Sequence, residues 1–388
     1  MNFIEYKYKD IGKIRSGKRL KKGYIVSDKK TNNRYIRVRD INNGIIDVNN
    51  VQYISDEAAS YITRYKVSKN DIIISVVGTV GSVASIPNEL DGAYLTENCN
   101  NLLVDEKICL KEYLKYFLLS RDGQAEILSH IVGTTQPKLP IYGIEAFNIK
   151  IPEKECQNKI IKILNTINNK ISLNTQINNN LYKIFRNIYR DTFHNKNSSY
   201  IKFSDFNEAG TLIMGQSPKG SSYNEEKKGI PLINGAADYK DGMLNSNKYT
   251  SEPTRICNAK DLVFCIRATI GQLTIADQEY CLGRGVACIS NINETYYEYV
   301  YNIIEDSIDK LKQVATGSVI LGLSKDDINN LEVYQPTLEE IEKFHIIEEP
   351  ILKRMLQIKE QNKKLEKIRD TLLPKLMNGE IDLDKIEI

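Results

Sequence analysis

The chain repeats itself, and that constrains its fold more than any motif. The run Lys69-Asn70-Asp71-Ile72-Ile73-Ile74-Ser75-Val76-Val77-Gly78-Thr79-Val80-Gly81 returns as Ala259-Lys260-Asp261-Leu262-Val263-Phe264-Cys265-Ile266-Arg267-Ala268-Thr269-Ile270-Gly271. Asp71/Asp261, Thr79/Thr269 and Gly81/Gly271 are each 190 residues apart. Upstream, Gly17 and Gly44 map to Gly215 and Gly242 at an offset of 198; downstream, Leu139, Ile144 and Pro152 map to Leu323, Ile328 and Pro336 at 184. Small deletions in loops account for the drift. At 388 residues, each half is long enough to bury a core of its own.

Within each half, an apolar β-branched segment beginning at Asp71 or Asp261 runs into a Gly-rich turn, the pattern of a buried strand. Ile36-Arg37-Val38-Arg39-Asp40-Ile41 alternates at period two and predicts a further, half-buried strand. Turn signals stand at Asn43-Gly44, Asp91-Gly92, Asn234-Gly235 and Asp241-Gly242. The fold class expected is α+β, with two sheet-rich domains at 1–152 and 196–335.

After each domain comes a helix. From Pro152 onward, Ile160, Leu164, Ile167, Ile171, Asn174, Asn178, Leu181, Phe185 and Ile188 step by four and three, the seam of a coiled coil. Adding 184 gives Phe344, Glu348, Ile351, Met355, Ile358, Asn362, Leu365, Arg369 and Leu372, so most of the seam recurs and Asn362 takes the place of Asn178. Buried Asn at such a position fixes register and partner number. Segments 153–195 and 336–388 therefore read as helical spacers, packed antiparallel because only that arrangement returns the chain over a short connection. A helix from about Gln157 to Asp191 would span about 50 Å at 1.5 Å per residue. Thr337 and Glu340 form a capping box for the second helix. Pro350 predicts a kink or break, leaving that helix continuous only from about Pro350 to Leu373, before Pro374.

Charge is unevenly spread. The net charge is only +3, yet the segments carry +5 (1–150), +5 (151–199), −5 (200–335) and −2 (336–388). In the first 39 residues, 13 Lys/Arg face 3 Asp/Glu, a density suited to a polyanion. No apolar run reaches the ~20 residues of a membrane span, and Met1–Lys7 lacks the pattern of a signal peptide, so a cytoplasmic location is expected. None of the seven cysteines forms a C-x-x-C pair and the three histidines are far apart, so free thiols and no metal site are expected. There is no phosphate-binding G-x-x-x-x-G-K-[ST], no G-x-S-x-G and no H-E-x-x-H, and Gly283-Arg284-Gly285 lacks the third glycine of a dinucleotide loop. No catalytic residues are assigned.

Two related heads on a helical spacer suit a target offering two half-sites at fixed separation, which duplex DNA does. Because the heads differ in sequence, the site should be asymmetric. Candidate DNA contacts in the first half are Lys18, Arg19, Lys21, Lys22, Arg37, Arg39, Thr79, Thr135 and Gln136. Those in the second are Gln216, Ser217, Lys219, Asn234, Arg267, Thr269 and Ser318. Cations would set register on phosphates, while Arg, Asn and Gln can read base edges; the same residue types also serve ordinary surface and turn roles.

The whole chain resembles the specificity (S) subunits of Type I restriction-modification systems. The resemblance rests on Met214-Gly215-Gln216-Ser217-Pro218, on the paired segments ending in Gly81 and Gly271, and above all on the tail Arg369-Asp370-Thr371-Leu372-Leu373-Pro374-Lys375-Leu376-Met377-Asn378-Gly379-Glu380-Ile381. It implies two target-recognition domains, helical spacers and no catalysis or bound cofactor in this subunit. It also implies partners: double-stranded DNA, two modification subunits that transfer methyl from S-adenosylmethionine to adenine, and a restriction subunit driven by ATP with magnesium. Departures are Pro350, the Glu348 and Arg369 seam positions, and Val319-Ile320 in place of Thr135-Gln136. Two competing readings remain open at this level: a coiled-coil scaffold whose heads bind proteins, favoured by the acidic second head, and a self-contained modifying enzyme, which labelled S-adenosylmethionine binding would reveal.

Overall fold

The computed structural model describes residues 1–42, 44–194, 196, 199–240, 242–315 and 322–385. The chain forms two compact units: residues 1–174 with 361–388, and residues 175–360. The repeat seen in sequence is a repeat of topology.

In the first unit, β1 (Phe3–Lys7), β2 (Gly12–Ser16), β3 (Ile72–Ser75), β4 (Val83–Ser85), β5 (Cys99–Val104) and β6 (Asn148–Pro152) form two antiparallel sheets, ordered β2-β5-β3-β4 and β1-β6. The β-branched run Ile72-Ile73-Ile74 forms the central strand β3 because both its faces are covered: Ile72 and Ile74 enter one core cluster and Ile73 another. Helices α1 (Lys111–Leu119) and α2 (Arg121–Ser129) close one side, with Tyr113, Leu114, Phe117 and Ile127 buried. The first long helix, α3, then runs from Lys154 to Phe193.

In the second unit, β7 (Tyr200–Lys202), β8 (Thr211–Met214), β9 (Leu262–Cys265), β10 (Gly271–Ile275), β11 (Val286–Ser290) and β12 (Glu332–Tyr334) repeat the pattern, with sheet orders β8-β11-β9-β10 and β7-β12. Helix α4 (Tyr297–Val314) stands where α1 and α2 do, and the second long helix, α5, runs from Leu338 to Met377. Even the small hairpins match: Ile41–Asn42 with Ile45–Ile46, and Tyr239–Lys240 with Met243–Leu244. Asn43 and Asp241, the first residues of their turn signals, lie outside the described residues.

Each unit takes a segment of both long helices into its core. In the first, Ile160 and Leu164 of α3 share a cluster with Leu376 and Met377 of α5. In the second, Phe185 of α3 meets Phe344, Leu352 and Met355 of α5, with Leu181, Ile188 and Ile351 packed on the edge. The start of one helix thus meets the end of the other, an antiparallel pairing. Each fully buried Leu, Ile or Phe in such a seam is worth roughly 1.5–3 kcal/mol, which holds two otherwise polar helices in place. Ile167, Ile171, Leu365 and Leu372 are half-buried. Asn174 Nδ2 donates to Asn362 Oδ1 at 2.8 Å, so Asn362 pairs with Asn174, while Asn178 Oδ1 is buried without a partner among the described residues.

Two expectations fail. Helix α5 is continuous through Pro350 and Pro374 for 40 residues. Proline at 350 frees the carbonyl of Ile346, but both residues are exposed, so water can satisfy it while the turns on either side stay clamped by Phe344, Leu352 and Met355. The segment from Ile36 to Ile41 is not one strand: Tyr35–Ile36 pairs in parallel with Tyr94–Leu95, and Val38–Asp40 then makes a 3-10 turn. Asp40 causes the interruption. Its buried carboxylate accepts the Arg37 backbone N–H at 2.8 Å and pairs with the Arg37 guanidinium, closing a turn that competes with the ladder.

Candidate nucleic-acid interface

The Gly-rich turn after β3 is the centre of the candidate surface in the first unit. Ser75 Oγ donates to Thr79 O and accepts from the Ser82 N–H, bracing the turn from inside. Gly81 adopts φ +87°, and a Cβ there would stand 2.8 Å from Ile127 Cγ2, so the turn lies flush on α2 only because the residue is glycine. The same device recurs in the second unit, where a Cβ on Gly271 (φ +108°) would stand 3.1 Å from Ile308 Cγ2 of α4. Both arrangements leave Thr79 and Thr269 exposed. At the turn's first glycine the units differ: Gly78 has φ +85°, whereas Ala268 holds φ +57°, a left-handed conformation that costs an L-residue about 1–2 kcal/mol.

Around the first turn, chain pairing gathers most of the candidates. Val77 bridges Lys138, and Leu139 N donates to Val76 O at 2.9 Å, which places the exposed Thr135-Gln136 hairpin beside it. A Cβ on Gly78 would stand 4.0 Å from Val38, so the Arg37–Arg39 turn lies alongside. Val76 N donates to Asn98 O at 2.8 Å; one residue away, Glu97 accepts from Arg19 Nε at 2.7 Å. Lys18, Arg19, Lys21 and Lys22 are exposed on a loop anchored by the Lys18 N–H on Leu95 O. Lys21 Nζ lies 3.5 Å from the centre of the Tyr61 ring, a cation–π contact. Arg37 and Arg39 are less free than the sequence suggests: both donate to Gln52 Oε1, at 2.6 and 3.1 Å.

In the second unit the candidates lie on two connected segments. Gln216, Ser217 and Lys219 lie on one loop, where the Gln216 N–H binds Leu282 O and Ser217 Oγ accepts the Arg284 N–H at 3.2 Å. Asn234 adjoins it, its Oδ1 packed against Gly283. Arg267 and Thr269 lie on the Gly-rich turn, which the Ile266 N–H ties to Gly285 O at 2.9 Å, and Arg267 is bridged to Gly322. Ser318, Val319 and Ile320 lie outside the described residues.

Sequence reasoning missed Lys138, exposed at the bridge beside the turn, and Arg284, exposed next to Ser217. Lys138 lies two residues from Gln136, whereas Arg284 lies 15 from Thr269, the nearest candidate in sequence; the missing signal was chain pairing. It also missed a buried polar cluster in the second unit. Arg186 donates to Asn302 Oδ1 and Asp306 Oδ1 at 2.7 Å each, and His345 Nδ1 lies 2.7 Å from Glu298 Oε2. Burial raises the Glu298 carboxyl even though His345 opposes the shift. Among the described residues no group of three or more His, Cys, Asp or Glu could hold a metal, and the six fully buried cysteines sit in cores, where burial raises the thiols of Cys109 and Cys257 to about 12.

Two units with a shared framework, each presenting an exposed threonine on a turn closed by a positive-φ glycine among exposed polar and basic side chains, define a double-headed recognition protein. The chain belongs to the Type I restriction modification DNA specificity domain family, whose model matches residues 2–183 and 195–372, once per repeat. It is 26% identical over 375 residues to the relative named as the MjaX type I restriction enzyme specificity subunit of Methanocaldococcus jannaschii, covering 89% of this chain and 86% of that one. It is 21% identical over 444 residues to the HindI specificity subunit of Haemophilus influenzae, covering 90% and 95%. The crystal structure of a Type I S subunit from M. genitalium shares the fold at TM-score 0.60 and 16% identity, over 97% of this chain and 96% of that one. The chain is thus a DNA-specificity subunit, the non-catalytic component of its system, and the protein-scaffold reading gives way.

Proposed function

We propose that the chain reads an asymmetric bipartite duplex site, one half-site per unit, and positions two modification subunits that methylate adenine. The observation that carries this reading is a shared framework bearing two different surfaces: the four-stranded and outer two-stranded sheets have the same order in both units, while the second unit adds a five-stranded sheet and the loops at 17–23 and 215–222 share only Gly17/Gly215 and Lys21/Lys219. One architecture can then dock equivalent partners while reading unlike sequences. S-adenosylmethionine would be held by the modification subunits, which must flip the target adenine out of the helix to reach it. A restriction subunit, where present, would supply ATP- and magnesium-dependent cleavage in cytoplasmic host defence. The number of unread base pairs between half-sites would follow the length of the two long helices.

Methylome sequencing of host cells with and without the gene tests this directly. Expected is one asymmetric, interrupted adenine-methylated motif that disappears on deletion. An unchanged methylome in cells that express the modification subunits overturns the reading.

A further inference from the structure

The inference rests on the DNA-specificity reading and assigns one contact within it. In the first unit, Val77 and Lys138 face each other across an isolated antiparallel bridge beside the Thr79 turn. In the second, the bridge at the same place joins Arg267 and Gly322, with Leu323 N donating to Ile266 O at 2.9 Å just as Leu139 N does to Val76 O. Under the repeat offsets of 190 and 184, Val77 corresponds to Arg267 and Lys138 to Gly322. Each bridge therefore carries one cation, supplied by opposite strands.

In the second unit the two solutions crowd each other. The stem of Arg267 lies over Gly322, where a Cβ would stand 3.3 Å from Arg267 Cγ and 3.6 Å from Nε. A lysine at 322 would crowd that arginine. Lys138 and Arg267 are both exposed, and neither joins an ion pair among the described residues. The neighbouring hydroxyls of Thr79 and Thr269 are exposed too, on turns pinned by Gly81 and Gly271.

Surfaces that read bases must differ between heads that read different half-sites. What both heads keep serves something both half-sites share. A charge kept in place while its side chain changes from lysine to arginine and its strand changes as well fits neutralisation of an anion. Either cation can reach guanine, but a base contact would have to survive a change of both side-chain geometry and strand between heads that read different half-sites, which a phosphate contact does not demand. The charge is kept even in the head whose segment 200–335 is net −5. We infer that Lys138 with Thr79, and Arg267 with Thr269, are matched contacts to the DNA phosphate backbone, one in each half-site and indifferent to sequence.

The test uses the chain assembled with its modification subunits and measures affinity by fluorescence anisotropy across a salt series. The probes are a duplex carrying the methylated motif found above and a random-sequence duplex. Lys138→Ala and Arg267→Ala should each lower the slope of log affinity against log salt by about 0.9 on both duplexes and weaken both alike. Moving the charge across the first bridge, with Val77→Arg and Lys138→Gly together, should restore slope and affinity. An unchanged slope overturns the inference, as does weakening confined to the motif duplex, which would mean base reading. Loss of the modification subunits from the complex also overturns it, since the cation would then contact protein. If the unaltered complex does not distinguish the two duplexes, the underlying function fails and the inference with it.

Discussion

Asp71 and Asp261 hold the same place in the repeat but titrate in opposite directions. Burial raises both carboxyls, yet for Asp71 the Ser68 N–H, Lys111 (2.9 Å) and Asn101 (2.7 Å) outweigh it, and the net shift is downward. Asp261 accepts the Asn258 N–H at 2.8 Å, but Tyr297 opens α4 where Lys111 opens α1, so burial wins and the shift is upward. A depressed carboxyl contributes stability above its unfolded pKa of about 3.9, lost as pH falls through the folded value; a raised one contributes stability at low pH, lost as pH rises. Acid should therefore weaken the first unit through Asp71 while Asp261 favours the second. Lys111→Ala should destabilise the first unit by about 1–3 kcal/mol at neutral pH, because it strips a partner from a buried carboxylate, and should flatten its acid sensitivity. Thermal unfolding followed from pH 3 to 7 checks both statements; an acid profile unmoved by Lys111→Ala would show that the pair does not set it.

Among elements, the long helices were the most legible in the sequence and also hid the most. The 4–3 spacing of Ile160 through Ile188 marks the buried face because a straight helix can turn only one stripe toward its partner. Pro350 was misread because the cost of a proline depends on where the freed carbonyl points, which is a tertiary fact. The strand expected from Ile36 to Ile41 failed for a similar reason: alternation is visible in sequence, but the local bond from Arg37 to Asp40 that overrides it is not. Of the bridge cations Arg267 was named and Lys138 was hidden, because strand pairing decides that Lys138 answers Arg267, although their places in the repeat do not coincide. Glu348 is the sharpest departure from the seam. It occupies the place of Leu164, is fully buried, and neither carboxylate oxygen has a partner among the described residues. Burial, then the Glu298 charge, raises its carboxyl to about 8, with Arg186 opposing. The raised group favours folding below its unfolded pKa, and that contribution is lost as pH rises through about 8. Glu348→Leu should stabilise the second unit by about 1–3 kcal/mol and remove this alkaline loss, whereas Glu348→Gln should remove the pH dependence but keep an unsatisfied amide. Denaturant midpoints at pH 6 and 9 separate the outcomes, and a destabilised Glu348→Leu would mean the carboxyl has a structural partner after all.

At the scale of the molecule, chain order and structural order disagree. The largest core of the first unit includes Leu376, Met377 and Leu383 from the far end of the sequence, each at most 3% exposed, while that of the second is drawn wholly from residues 185–355. The first unit therefore takes in residues 361–388, which follow the whole of the second unit in sequence, while the largest core of the second draws on residues 185–355. Truncation after Glu360 should act on the distant unit. It removes three buried side chains and the Asn362 partner of Asn174, a loss on the order of 5 kcal/mol or more, comparable to the whole stability of a domain. Hydrogen exchange should then show protection lost in β2, β3 and β5, at the opposite end of the sequence from the cut, with β8, β9 and β11 still protected. Equal loss in both sets of strands would mean that the two cores fold as one cooperative unit. Retained protection in β3 would mean that the first core closes without the C-terminal helix.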